Sequence, residues 1–201
     1  MPNPPSPTQA EQANHLPSIL GSLSSLPLPQ LEALLREQPS RMPPRGAEVL
    51  QRTARVPRPL SEVFAFFAQA ENLQLLTPSF LDFRILSPLP IAMQVGTLID
   101  YRIRLRGLPM RWRTRISAWQ PPHRFADEQI TGPYSFWWHE HLFTEQDGYT
   151  LISDRVTYRA PFGFIAHALV VRRELARIFD FRTAVIAQRF GGAPTNAKIS
   201  G

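Results

Sequence analysis

A chain of 201 residues is long enough for one domain with a buried core, and no run of roughly 18 apolar residues marks a membrane-spanning helix. It contains no cysteine, which excludes disulfides, cysteine nucleophiles and thiolate metal sites. The net charge of +6 favours anionic surfaces without specifying one; the chain does not open on a basic segment followed by an apolar one, so the cytoplasm is the default location. Residues 1–45 read as a flexible tail. Pro2, Pro4, Pro5 and Pro7 begin a series of prolines that recur among Ser, Gln and Asn, a composition that buries too little apolar surface to offset ordering. Leu-Glu-Ala-Leu-Leu-Arg at 31–36 is the exception, a short amphipathic stretch. The folded domain is expected over 46–192, followed by a flexible C-terminus at 193–201.

Within that domain the pattern predicts a strand over 47–56. Pro57-Arg58-Pro59 then opens a helix through Leu-Ser-Glu-Val-Phe-Ala-Phe-Phe, and a second short helix over 71–76 stops at Thr77-Pro78. Strands follow over 80–86, 97–105, 110–119, 124–130, 134–146 and 149–160. Gly and Pro punctuation separates them, notably Gly107-Leu108-Pro109, Pro121-Pro122, Gly132-Pro133 and Asp147-Gly148. After Pro161-Phe162-Gly163 a long helix runs to Phe190 and ends at Gly191-Gly192. Its apolar stripe passes through Leu175, Phe179, Thr183, Ile186 and Phe190, with Arg172 interrupting it. The fold class is therefore α+β: a curved antiparallel sheet of about seven strands around a long C-terminal helix, with two short helices after the first strand. The space between helix and sheet is the natural ligand cavity.

Asp147-Gly148 fixes the most informative register. A two-residue turn puts Gln146 opposite Tyr149, Phe143 opposite Ile152, His141 opposite Asp154, His139 opposite Val156 and Trp137 opposite Tyr158. These residues share one face, apolar and aromatic with a His-Asp pair set into it. The other face carries Glu140 opposite Arg155 and reads as solvated. A four-residue loop at 106–109 would set Arg104 opposite Arg111 and Arg102 opposite Arg113, giving an outer arginine row; Tyr101 and Trp112 lie on the apolar inner side. That row is either a solvated basic face or a surface for weak contact with an anionic membrane. Nucleic acid is not the expected partner, because the aromatics alternate away from the arginines and no nucleic-acid-binding signature occurs.

The order of elements, together with particular residues, resembles the SRPBCC superfamily, whose shared fold is the helix-grip. The superfamily includes START-related lipid-transfer domains, Bet v 1-type allergens, polyketide cyclases and Coq10-like coenzyme Q-binding proteins. The residues that carry the resemblance include Asn72-Leu73 with Thr77-Pro78, Arg111-Trp112, Phe125-x-Asp127-x-Gln129, Gly132-Pro133-Tyr134, Trp137-x-His139-x-His141-x-Phe143 and Ile178-Phe179-Asp180-x-Arg182. It covers about 47–190 and looks closest to a bacterial branch of ligand-binding members. It implies a fold that hosts carriers, cyclases and sensors alike.

Three readings attend the histidines. His139-x-His141 has metal-ligand spacing with Asp154 as a third ligand, but no further His is placed to join them, so no metal and no cofactor is expected. His141 and Asp154 could simply satisfy each other beneath the core. Alternatively the pair orients a ligand, or serves as a general base in a cyclase or dehydratase; no nucleophile accompanies it. Ligand contacts are expected from Tyr101, Trp112, Trp137, His139 and His141. Phe143, Asp154 and Tyr158 extend the same wall, with Arg172 at the rim or turned in toward Asp154. The Gly132-Pro133 connection leaves its register open by one, so Asp127 and Gln129 face either cavity or solvent. The expected function is non-covalent binding of a hydrophobic small molecule: a lipid, an isoprenoid quinone or a polyketide-like ring. The alternatives are the acid-base enzyme and an interaction module with a filled cavity.

Overall fold

Asp147 and Gly148 adopt φ of 53° and 73°, the left-handed pair that lets two residues close a hairpin with the twist of its strands. On either side lie β6 (Phe136–Gln146) and β7 (Tyr149–Arg159), paired in the expected register from Gln146↔Tyr149 through His141↔Asp154 to Trp137↔Tyr158. A computed structural model describes residues 42–160 and 165–195. The expected tail therefore lies almost wholly outside the described residues, as do Pro161-Phe162-Gly163 and 196–201.

The domain begins with β1 (Glu48–Val56), which pairs antiparallel with β7. Pro59 precedes α1 (Leu60–Phe67), whose Leu60, Val63, Phe64 and Phe67 recur at helical spacing and are all buried. The second expected helix is a single 3-10 turn, Ala70–Gln74. The strand expected over 80–86 shrinks to β2 (Arg84–Ile85). Pro78 starts another 3-10 turn, Ser79–Leu81, and Asp82 leaves it with φ of 41°, so the extended run is broken before it can pair.

Next come β3 (Leu98–Leu105), β4 (Leu108–Gln120) and β5 (Arg124–Thr131). The turn between β3 and β4 holds two residues, Arg106 and Gly107 at φ of 51° and 81°, not four. Arg102 consequently faces Arg111, and Asp100 faces Arg113. A slip of two residues preserves every side chain's face, so Tyr101 and Trp112 still point inward. Between β5 and β6 the open register resolves as Asp127↔His139 and Phe125↔His141, which puts Asp127 on the inner face. Gln129 closes the connection by donating to the Tyr134 carbonyl at 2.6 Å and accepting from its N–H at 3.2 Å.

The long helix, α2 (Ile165–Phe190), buries Val171, Leu175, Phe179, Arg182, Ile186 and Phe190. Past it the chain forms β8 (Ala193–Thr195) along β1, where the sequence pattern placed a flexible terminus. Gly192 permits this: a Cβ there would overlap the Arg55 carbonyl oxygen. The described sheet thus has eight strands in the order β2-β3-β4-β5-β6-β7-β1-β8 and forms a helix-grip with α2.

Two large apolar clusters lie on its inner side, beside a smaller one of Ala70, Ile99 and Ile116. One joins Phe64, Phe66 and Phe67 of α1 to Phe125, Phe143, Ile186 and Phe190; the other joins Trp112, Trp137 and Tyr158 to Leu175 and Phe179. Each buried aromatic contributes about 1.5–3 kcal/mol. Along β6, Trp137 belongs to the second and Phe143 to the first, so His139 and His141 stand between them. The outer face of β6 is not solvated as expected. Phe136 and Trp138 cluster there with Ala118 and Ala126, and Glu140, 3% exposed, pairs with the fully buried Arg124 at 3.1 Å.

Candidate functional site

The inner wall opens into a cavity of about 160 Å³ between the sheet and α2. Its lining is mainly aromatic and aliphatic, including Tyr101, Ile103, Trp112, Tyr134, Trp137, Leu175 and Phe179. Its charged and imidazole groups, Asp127, His139, His141 and Arg182, converge at one place; Gln69, Asn72, Thr77 and Thr114 also line it.

Alternation along β6 presents both histidines inward, and β5 and β7 place a carboxylate on each side of them. Asp154 lies behind. Its Oδ1 is 2.7 Å from His141 Nδ1 and 3.4 Å from His139 Nε2. Asp127 lies in front, with Oδ2 at 3.3 Å from His141 Nε2 and 3.5 Å from His139 Nδ1. Phe125 stacks on the His141 ring at 4.0 Å between centroids, and Phe179 meets His139 edge-on at 5.2 Å. These rings hold the imidazoles in place.

Arg182 reaches down from α2 and donates from Nε to Asp154 Oδ2 at 2.7 Å. Its Nη2 also comes within 3.3 Å of His141 Nδ1. A guanidinium only donates and a carboxylate only accepts, so the Arg182 and Asp127 contacts leave Nδ1 the acceptor and put the His141 proton on Nε2, toward Asp127; Nδ1 also approaches Asp154 Oδ1 at 2.7 Å. The approach is close but not well aligned, since Asp154 Oδ1 receives no well-formed hydrogen bond. Burial by itself pushes the Asp154 carboxyl up. The Arg182 guanidinium, with the two imidazoles, overcomes this and holds it well below the usual carboxylate range. For His139, burial and the neighbouring His141 prevail over the two carboxylates and lower its pKa. The Tyr101 hydroxyl, raised first by burial and then by the Asp127 charge, stays protonated and sits 3.4 Å from Thr114 Oγ1.

Of the expected contact residues, the cavity wall includes Tyr101, Trp112, Trp137, His139 and His141. Four are elsewhere. Phe143 is packed into the α1 cluster, and Asp154 lies behind the histidines against Arg182. Tyr158 is directed toward Glu48, and burial pushes its hydroxyl up to about 12. Arg172 is half exposed and pairs with Glu48 at 3.1 Å; it does not reach Asp154. The guanidinium on Asp154 is that of Arg182, which sequence reasoning placed in a motif but not in the site. The signal was there: steps of three or four from Leu175 and Phe179 land on Arg182 as readily as on Thr183.

The family model for "Polyketide cyclase / dehydrase and lipid transport" matches residues 56–180, and the chain belongs to this family, within the SRPBCC, START-like superfamily. No curated protein matches the sequence. Among solved structures, TTHA0849 of Thermus thermophilus is similar at a TM-score of 0.57 and 13% identity, covering 71% of this chain and 96% of that one. A START superfamily protein from Mycobacterium smegmatis gives 0.56 at 9%, covering 72% and 97%. Protein Ms6760 of the same organism gives 0.52 at 20%, covering 69% and 87%. At these identities the likeness is one of fold. The cavity between sheet and C-terminal helix is the one typical of ligand-binding members.

Proposed function

We propose that this protein binds a hydrophobic small molecule non-covalently, with a polar oxygen of the ligand at the His139–His141 end. The observation that carries the reading is the cavity itself: a mainly apolar, aromatic wall with its charged and imidazole groups gathered at one point. Such a wall desolvates a ligand's body, and a few convergent polar groups fix its orientation. The open volume of about 160 Å³ is small beside the roughly 300–1,000 Å³ of drug-sized pockets. It favours a compact ring, such as a quinone head or polyketide-like ring, over a long acyl chain.

Native mass spectrometry of the purified full-length chain should detect a co-purified ring compound. Titration with a short-chain quinone, read by quenching of Trp112 and Trp137, should give saturable binding. His141→Phe keeps ring bulk and removes the polar anchor; it should weaken binding about tenfold, the loss of one hydrogen bond to a charged or polar partner. Equal affinity for wild type and variant would remove the histidine from the site.

A second reading rests on a specific contact. His141 Nε2 lies 3.3 Å from the Asp127 carboxylate and both residues line the cavity, an imidazole–carboxylate couple able to exchange a proton with a ligand. It predicts turnover of an enolisable cyclic ketone that disappears in His141→Phe; binding without turnover leaves the carrier reading.

A further inference from the structure

Asp127, His139 and His141 bring one oxygen and two ring nitrogens to within 4.8 Å of one another. We propose that these three residues form a binding site for a divalent first-row transition metal of the zinc class, open toward the apolar cavity. The spacing HxH suggested ligands from sequence, with Asp154 as the third; the fold puts Asp127 in that place and gives Asp154 a different task.

The first argument is geometric. Ligand atoms at about 2.0–2.2 Å from a tetrahedral zinc lie about 3.3–3.5 Å from one another. Asp127 Oδ2 lies 3.3 Å from His141 Nε2 and 3.5 Å from His139 Nδ1. The second is chemical. Asp154 faces the opposite nitrogen of each ring, His141 Nδ1 and His139 Nε2, and is placed to take the ring protons when a metal binds on the Asp127 side. Without a metal, His141 Nε2 donates to Asp127 Oδ2 at 3.3 Å, and a metal bound there takes the place of that proton. With the proton displaced, one oxygen and two nitrogens are electron-pair donors that converge on one point. The third is the support behind the rings. A carboxylate accepting from the far nitrogen of a metal-bound histidine fixes its tautomer and strengthens it as a ligand. Here one carboxylate stands behind both rings, and Arg182 holds it at 2.7 Å.

Three protein ligands leave a position open, and the residues around it line the cavity. That position suits a water or a ligand oxygen: a carboxylate, an enolate or a quinone carbonyl. Cysteine is absent from the chain, so a soft thiolate site is excluded and a nitrogen-oxygen donor set remains.

The test uses the metal alone, so its result is independent of the ligand reading. Untagged full-length protein is stripped with chelator and titrated with Co²⁺, followed by visible absorption, then with Zn²⁺ by calorimetry. One Co²⁺ per chain, with the intense bands of a low-coordinate nitrogen-oxygen site and displacement by Zn²⁺, is expected. Asp127→Asn preserves shape on the cavity wall and should weaken Zn²⁺ by at least about tenfold, as should His139→Gln. Absence of saturable Co²⁺ binding would overturn the proposal and leave a network held by protons. Affinity unchanged in Asp127→Asn would overturn it equally. Circular dichroism of each variant confirms that a loss of binding is not a loss of fold.

Discussion

Arg172 and Arg182 lie on the same helix and meet different fates. Arg182 is buried and supplies the countercharge to a carboxylate that is itself buried. Arg172 is half exposed and pairs with Glu48 at the surface. Removing one partner of a buried ion pair strands the other charge in a low-dielectric interior, whereas an exposed pair competes with water and salt. Arg182→Met should therefore cost about 3–5 kcal/mol in urea denaturation. Arg172→Ala should cost less than about 1 kcal/mol. Equal costs would mean that Asp154 finds another partner. This asymmetry was not available from the sequence, where both arginines fall near the apolar stripe. The stripe drifts around the helix, and only contact with the sheet decides which of two neighbouring positions looks inward.

Hairpins and close approaches set the site at the level of the elements. The β6–β7 turn was legible because Asp-Gly supports left-handed φ at both positions, and it alone aligned His141 with Asp154. The β3–β4 turn was misjudged by two residues, since Arg106 adopts φ of 51° without being a residue that advertises it. The faces survived because two is the strand period. β8 gave no strand signal, and it depends on Gly192 lying against Arg55 and Val56 of β1. Gly192→Ala should collide with backbone that cannot move aside and cost about 1–3 kcal/mol. Gly148→Ala, with open space around it but φ of 73°, should cost about 1–2 kcal/mol from conformation alone. Thermal melts of the two variants separate steric overlap from strain. A neutral Gly192→Ala would show that β8 is not anchored there.

For the whole molecule, the basic surface is less naked than the sequence suggested. Arg113 makes a two-pronged contact with Asp100 at 2.7 and 2.8 Å. Arg102 and Arg104 lie 3.6 and 4.0 Å from Asp82, and Arg115 is 2.6 Å from Glu128. Local neutralisation shortens the reach of a charge row that salt already screens over about 8 Å at physiological strength. Vesicle co-sedimentation should thus show weak binding to anionic lipid at low salt, lost at high salt, and none to neutral lipid. Equal binding to neutral and anionic vesicles would exclude an electrostatic membrane contact. Among the described residues no helix is long and apolar enough to cross a membrane.

By itself the sequence determined the order of elements from β1 to α2, the wrapping of the sheet around the long helix, the inward aromatic wall and the His141–Asp154 pairing. Each follows from local causes: alternation, helical spacing, proline and glycine punctuation, and one turn of known length. Tertiary structure alone decided that Asp127 joins the histidines, since its register passes through an irregular Gly132-Pro133 connection that Gln129 must close. Tertiary structure also selected Arg182 over Arg172 and moved Phe143 and Tyr158 out of the cavity. A pattern of period two or three and a half gives the face a residue occupies. Its depth along that face, and the group it meets there, depend on chains that are distant in sequence.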